Sequence, residues 1–381
     1  MGVGEPVTLA AVGDVAPLVR PSPDVRSEAW QAADVRLANL EGPIVETGTE
    51  LLPAEKLIRL RLPEEAAEWL AELGVDAVSL ANNHIMDWGA GALRSTRSRL
   101  SAQGIRFSGA GTDWGEATEP AWLTVRGYRL AFLSWACTVP PGFQAGPGRP
   151  GIAGIRVRTR WEVDARLLDE QPGTPPWVHT EAVEADLERL AEALAGARRA
   201  ADFVLLSVHW GVPPQWSSAF QGPVAEYQRE VAARAAAAGA DLILGHHPHA
   251  PYGLGEAAGV PVLYSLGNFL FHPEYLPGGM ESELAGREGG GDREGPAYEP
   301  VLLPENRESC LARIELVPSP GGRLGIRRLR LEPARLNDRG EALPLAAETA
   351  EPIARRLEAF SRRMGARVRV QEGGLEWEGA A

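Results

Sequence analysis

Six short polar stretches hold most of the side chains in this chain that could bind a metal or move a proton. They are Gly13-Asp14-Val15, Asn39-Leu40-Glu41-Gly42, Asn82-Asn83-His84, His209-Trp210-Gly211, Gly245-His246-His247-Pro248-His249 and Ser265-Leu266-Gly267-Asn268-Phe269. Five of the seven histidines fall inside them. Three of the stretches follow apolar runs, at residues 75–80, 203–208 and 241–244. That is the pattern of a buried strand delivering a polar loop at its carboxyl end. Open α/β sheets bind ligands at that edge, and carboxylates, amides and imidazoles together form an ordinary donor set for a divalent ion. The chain reads as a metalloenzyme.

Singly, each residue has a plain structural explanation. Asp14 after glycine suits a turn or cap, and Glu41 a solvated loop. Asn82 or Asn83 would cap a helix, with Asp87 holding the turn. A lone His209 ending an apolar strand is more often a satisfied core histidine than a ligand. His247 and His249 carry more weight, because alternating side chains at that spacing can converge on one centre. Six such strand ends along one sheet edge point to a site. Lysine usage adds one more candidate. The 38 basic side chains comprise 37 arginines and a single lysine, Lys56. Codon bias accounts for the arginines. A retained lysine suits a compact point charge or a group that can lose its proton, neither of which arginine supplies.

The elements that must position these residues alternate between strand and helix, which indicates an α/β fold. Helices are expected over residues 63–73, 91–103, 180–200 (opened by Thr180), 224–238 and 352–364, with strands at 129–134 and 203–208 among others. Alternation over 310–331 predicts a closing hairpin around Pro320-Gly321-Gly322. Loop or insertion character is expected at 140–154 and 172–176, and a mobile excursion close to the site at 277–300, either a lid or plain disorder. The expected organisation is one domain over 1–335, with insertions near 140–176 and 277–300, and a helical extension over 336–381. Trp210 and Trp216, around Pro213 and Pro214, suggest an apolar wall for the substrate.

The net charge of −13 argues against nucleic acid as partner. No secretory signal, membrane anchor or membrane-length apolar run is read, and the two cysteines read as buried thiols. A cytoplasmic enzyme is expected.

Residues 39–44, Lys56, Ala81-Asn82-Asn83-His84 with Asp87 and Gly89, Gly109-Ala110-Gly111, His209-Trp210-Gly211, 245–249 and 265–269 occur together in an order that resembles the CapA-type proteins of poly-γ-glutamate capsule formation. The resemblance covers roughly residues 7 to 275. It implies a calcineurin-like metallophosphoesterase fold, a two-sheet βαβ sandwich flanked by helices. It also implies Asp14, Glu41, Asn83, His209, His247 and His249 as metal-shell residues. Glu41 would bridge, and His84 would be the acid or base beside one or two divalent ions (Mn, Zn, Fe, Mg or Ca). Two departures stand out. Ala16 occupies the place of a metallophosphoesterase histidine, and Glu41 replaces the usual bridging aspartate, so one metal position is short of a ligand.

The activity that the resemblance implies is epimerisation of a residue in a peptide or polyglutamate substrate. A metal with Lys56 or an arginine would stabilise the developing charge, and His84, His246 and Asp14 would take and return the α-proton. Phosphoester hydrolysis, amide hydrolysis and a non-catalytic role in capsule formation are the alternatives.

Overall fold

The computed structural model describes residues 6–56, 58–212, 224–272, 307–319 and 321–379. Two mixed sheets pack face to face. The larger has ten strands, with a parallel centre running Val7–Ala16, Val35–Leu40, Ala77–Ser79, Arg106–Ser108. The first strand also pairs in parallel with Asn268–Phe271 and antiparallel with Glu308–Pro318. The smaller sheet has six strands, with the parallel core Tyr128–Ala136, Phe203–His209, Leu242–His246 and Val260–Leu266.

Side-chain alternation explains why the central strands are apolar throughout. Val7, Leu9 and Ala11 meet Phe203, Leu205, Leu242 and Leu244 between the sheets. Ala10 and Val12 face outward onto the helices Ala66–Glu72 and Gly89–Ala102. Val204, Leu206 and Val208 face outward onto Glu184–Arg198 and Glu226–Ala237. Strands covered on both faces need apolar residues at every position. The result is the metallophosphoesterase-like α/β sandwich expected.

Several expectations shift. Thr180 does not open a helix; it lies in the strand Trp177–Ala182, which pairs antiparallel with Val157–Glu162, and the helix begins at Glu184. Hairpin pairing overrides the helical propensity of that stretch. The 140–176 region therefore carries the first strand of this pair, Val157–Glu162, and a short helix, Ala165–Glu170, rather than loop alone. The closing hairpin is Glu308–Pro318 with Leu324–Leu336. The final helix, Ala347–Arg363, begins earlier than expected. Beyond it the hairpin Val368–Gln371 and Gly374–Trp377 adds to the larger sheet at Leu331. The excursion expected at 277–300 and Trp216 lie outside the described residues. Among the described residues no helix is long and apolar enough to cross a membrane.

Candidate metal centre

The polar strand ends converge, but from two sheets rather than along one edge. Asp14, Glu41 and Asn83 come from the larger sheet, and His209, His247 and His249 follow strands of the smaller one. The carboxyl ends of both parallel cores open at the same end of the sandwich, and the six side chains meet across it.

A close backbone approach sets the position of Asp14. Its N–H donates to Gly267 O at 3.0 Å, and a Cβ on Gly13 would stand 1.7 Å from that same oxygen. Only glycine fits at position 13. Asn39 Nδ2 then donates to Asp14 Oδ1 at 2.8 Å and lies 3.4 Å from His209 Nδ1. Of the two neighbouring asparagines, Asn82 closes the turn that follows, accepting from the His84 and Ile85 amides at 3.0 Å, and neither caps the helix Gly89–Ala102, which starts after Trp88. That frees Asn83, whose Oδ1 is 2.8 Å from His209 Nε2. His247 and His249 both have positive φ, 97° and 57°, a costly conformation away from glycine and one that clusters at functional sites.

Two donor triads share one residue. Glu41, His209 and His247 form one, and Asp14, Glu41 and His249 the other, with donor atoms within 4.8 Å of one another in each. Glu41 Oε1 is 3.6 Å from His209 Nε2 and 3.8 Å from His249 Nε2. The Glu41 side chain is fully buried, yet neither oxygen has a hydrogen-bond partner, and His247 Nδ1 also lacks one. Orphaned buried acceptors carry a large desolvation cost, which a cation at the centre would remove. The residues present therefore fit a divalent ion.

The electrostatics agree. Burial, reinforced by the Asp14 charge, pushes the Glu41 carboxyl well above the usual range. Burial and the neighbouring His247, His246 and His249 hold His209 well below the ordinary imidazole value, and burial with His249 brings His247 to about 3. Both are thus neutral, as ligands must be. Burial disfavours the charged form of His249 too, but Glu41 and Asp14 outweigh it and raise the ring to about 9. For Asp14, burial is offset by the hydrogen bond and charge of His249, which leave it below its ordinary value.

Around this core, His84 Nε2 lies 3.9 Å from Glu41 Oε1, and its Nδ1 is 2.7 Å from Asp87 Oδ2. Burial lowers the pKa of His84. His246 is buried with Nδ1 3.6 Å from Asp14 Oδ1. Lys56, expected to stabilise charge developing on the substrate, is engaged within the protein: its Nζ donates to Asn83 O and to Asp87 Oδ1. Trp210 is core rather than wall: fully buried, it stacks on Tyr264 and donates from Nε1 to Tyr264 O. Ala16 pairs with Phe271 and packs under the helices, so the first strand adds no imidazole to the Asp14 triad. Asn268 was not singled out as a site residue, yet its Oδ1 accepts from His249 Nδ1 at 2.8 Å and turns Nε2 towards Glu41. Its place in the last of the six polar stretches was its signal in the sequence.

The family model described as bacterial capsule synthesis protein PGA_cap matches residues 9–273. The PGA biosynthesis protein CapA of Bacillus subtilis is 26% identical over 64% of this chain and 54% of its own length. The capsule biosynthesis protein CapA of Bacillus anthracis is 27% identical over 63% of this chain and 51% of its own. A probable polyglutamine synthesis accessory protein of Mycobacterium tuberculosis is 28% identical over 66% of this chain and 59% of its own. The matched region spans little more than half of these relatives.

Proposed function

We propose, for a chain that belongs to the bacterial capsule synthesis protein PGA_cap family, a metal-dependent enzyme that epimerises an amino-acid residue in a peptide or polyglutamate-type substrate. The observation that carries the reading is the Glu41 carboxylate, buried without a donor where two triads meet, with His84 Nε2 3.9 Å away. The relatives' names, which speak of PGA and polyglutamine synthesis, support a polymer of glutamate or glutamine residues as the substrate class.

Asp14, Glu41, Asn83, His209, His247 and His249 would hold one or two ions. Bound there, an ion would act as a Lewis acid towards a carbonyl or carboxylate oxygen of the substrate. His84 is oriented by Asp87: with Nδ1–H donating to that carboxylate, the Nε2 lone pair faces the site and can take an α-proton. The electron pair left on the α-carbon delocalises into the adjoining carbonyl. His246, beside Asp14, is the proposed donor that returns a proton to the other face. No oxidant or co-reactant is needed.

Hydrolysis is the second reading, favoured by the sharing of Glu41 between two triads, as in two-metal hydrolytic centres. One incubation separates the two. Glutamyl oligopeptides with α or γ linkages are treated with manganese-loaded protein, in deuterium oxide and in 18O-water. Deuterium at an α-carbon with inversion and no cleavage is the expected result. Cleavage with 18O uptake would replace epimerisation by hydrolysis, and neither outcome would leave a non-catalytic factor in capsule formation.

A further inference from the structure

Residues 52–56 and 58–60 lie outside helix and strand, yet they are laced to the loop that carries Asn83 and His84. Leu52 N donates to Trp88 O at 3.1 Å and Ala54 N to Asp87 O at 2.8 Å. Leu60 N donates to Asp87 Oδ2 at 2.7 Å, and Trp88 Nε1 to Leu60 O at 2.9 Å. Lys56 reaches the centre of this lacing. Its Nζ donates to Asn83 O and, at 2.7 Å, to Asp87 Oδ1, and lies 5.5 Å from the centroid of the Phe143 ring.

From this arrangement we infer that Lys56 is a positioning residue that pins the Asn83 carbonyl and the Asp87 carboxylate together, aiming Asn83 Oδ1 and His84 Nε2 into the site. The inference rests on the metal-centre reading above and assigns Lys56 no contact with substrate. The hydrogen-bond inventory supports it. His84 Nδ1 lies 2.7 Å from Asp87 Oδ2 and 3.3 Å from Lys56 Nζ. An ammonium has only donors and a carboxylate only acceptors. If Nδ1 carries the proton it donates to Asp87, and the Lys56 hydrogens are left for Asn83 O and Asp87 Oδ1. If it does not, the shortest contact of the ring faces a carboxylate with no hydrogen between them. The first arrangement satisfies every group and bares Nε2. Lys56 thereby neutralises the carboxylate that selects this tautomer, and it holds the main chain of the residue whose side chain lies 2.8 Å from His209. A guanidinium is a broad planar fork and cannot converge on these two acceptors from the same point, which explains why one lysine persists among 37 arginines.

The test compares wild type with Lys56→Met and Lys56→Arg. Amide hydrogen exchange on metal-stripped protein reads the pin directly. Faster exchange at Ala54, Leu60 and residues 84–88 in both variants, with the central strands unchanged, is expected; unaltered exchange there would overturn the inference. Calorimetric titration with Mn2+ alone reads the consequence. Affinity should fall by roughly ten- to a hundredfold, the range seen when a residue that orients a metal ligand is lost. Unchanged Mn2+ affinity would overturn the claim that the pin serves the site. If wild type itself binds no Mn2+, the metal-centre reading fails, and hydrogen exchange still decides on the pin. Should Lys56→Met not fold, Lys56→Arg carries both measurements.

Discussion

Glu41→Gln should make the metal-free protein more stable while removing its response to metal. Glu41 is fully buried, both its oxygens lack a donor, and Asp14 lies beside it. An unsatisfied buried group costs about 1–3 kcal/mol, more when charged. The isosteric amide removes an ionisable group that burial and Asp14 hold against ionisation, and it places N–H donors beside the Asp14 carboxylate. A gain of about 1–3 kcal/mol is therefore expected, seen as a rise of a few °C in Tm in chelator. Manganese at a hundred times its Kd should raise wild-type stability by about 2.7 kcal/mol and leave Glu41→Gln nearly unchanged. The pH dependence follows from the same residue. Burial and Asp14 raise the folded pKa of Glu41 above its unfolded value. Its contribution is then fully present below the unfolded value and is lost as pH rises through the folded one. His249, raised to about 9 by Glu41 and Asp14 against its burial, has the same sign. Below about 6.5 the depressed His209 and His247 have the opposite sign, so metal-free wild type should lose stability from about pH 6.5 to about 9, and Glu41→Gln should lose less. Thermal unfolding across that range, with chelator and with manganese, is the assay. A destabilised Glu41→Gln that still gains from manganese as wild type does would refute the reasoning.

Other outcomes follow from the same geometry. His84→Ala should lower turnover by at least about a hundredfold with metal content by elemental analysis unchanged; loss of metal would make His84 a ligand. Asn268→Ala should weaken manganese binding by roughly tenfold or more through loss of the His249 contact, measured by calorimetry. Gly13→Ala should cost more than about 3 kcal/mol or prevent folding, since its Cβ would meet the Gly267 carbonyl; soluble yield and Tm read this out.

What was legible in the sequence was the convergence. The apolar runs ahead of His209 and His246 are buried on both faces, and that burial makes them readable as strands. The hairpin from Glu308 to Leu336 was readable from its period-two alternation. The partition of the site between two sheets was not, because the periodicity of a strand does not say which sheet it joins. Nor was the strand Trp177–Ala182: a sequence rich in helix formers runs on from Thr180, and only its pairing with Val157–Glu162 decides the state. Lys56 stood out by composition, but its direction depended on Asp87 and Asn83, residues some thirty positions away in the chain. Trp210 looked exposed beside the proline pair and is instead clamped by Tyr264.

The proposed metal centre has Glu41 as its shared ligand. Anomalous diffraction from crystals of manganese-loaded protein, recorded on both sides of the manganese edge, tests it directly. The expected result is a peak about 2.0–2.3 Å from a Glu41 oxygen, between His209, His247 and Asn83, with a weaker peak or none on the Asp14–His249 side. Manganese density remote from Glu41, or none at a concentration that saturates binding in solution, would contradict the account.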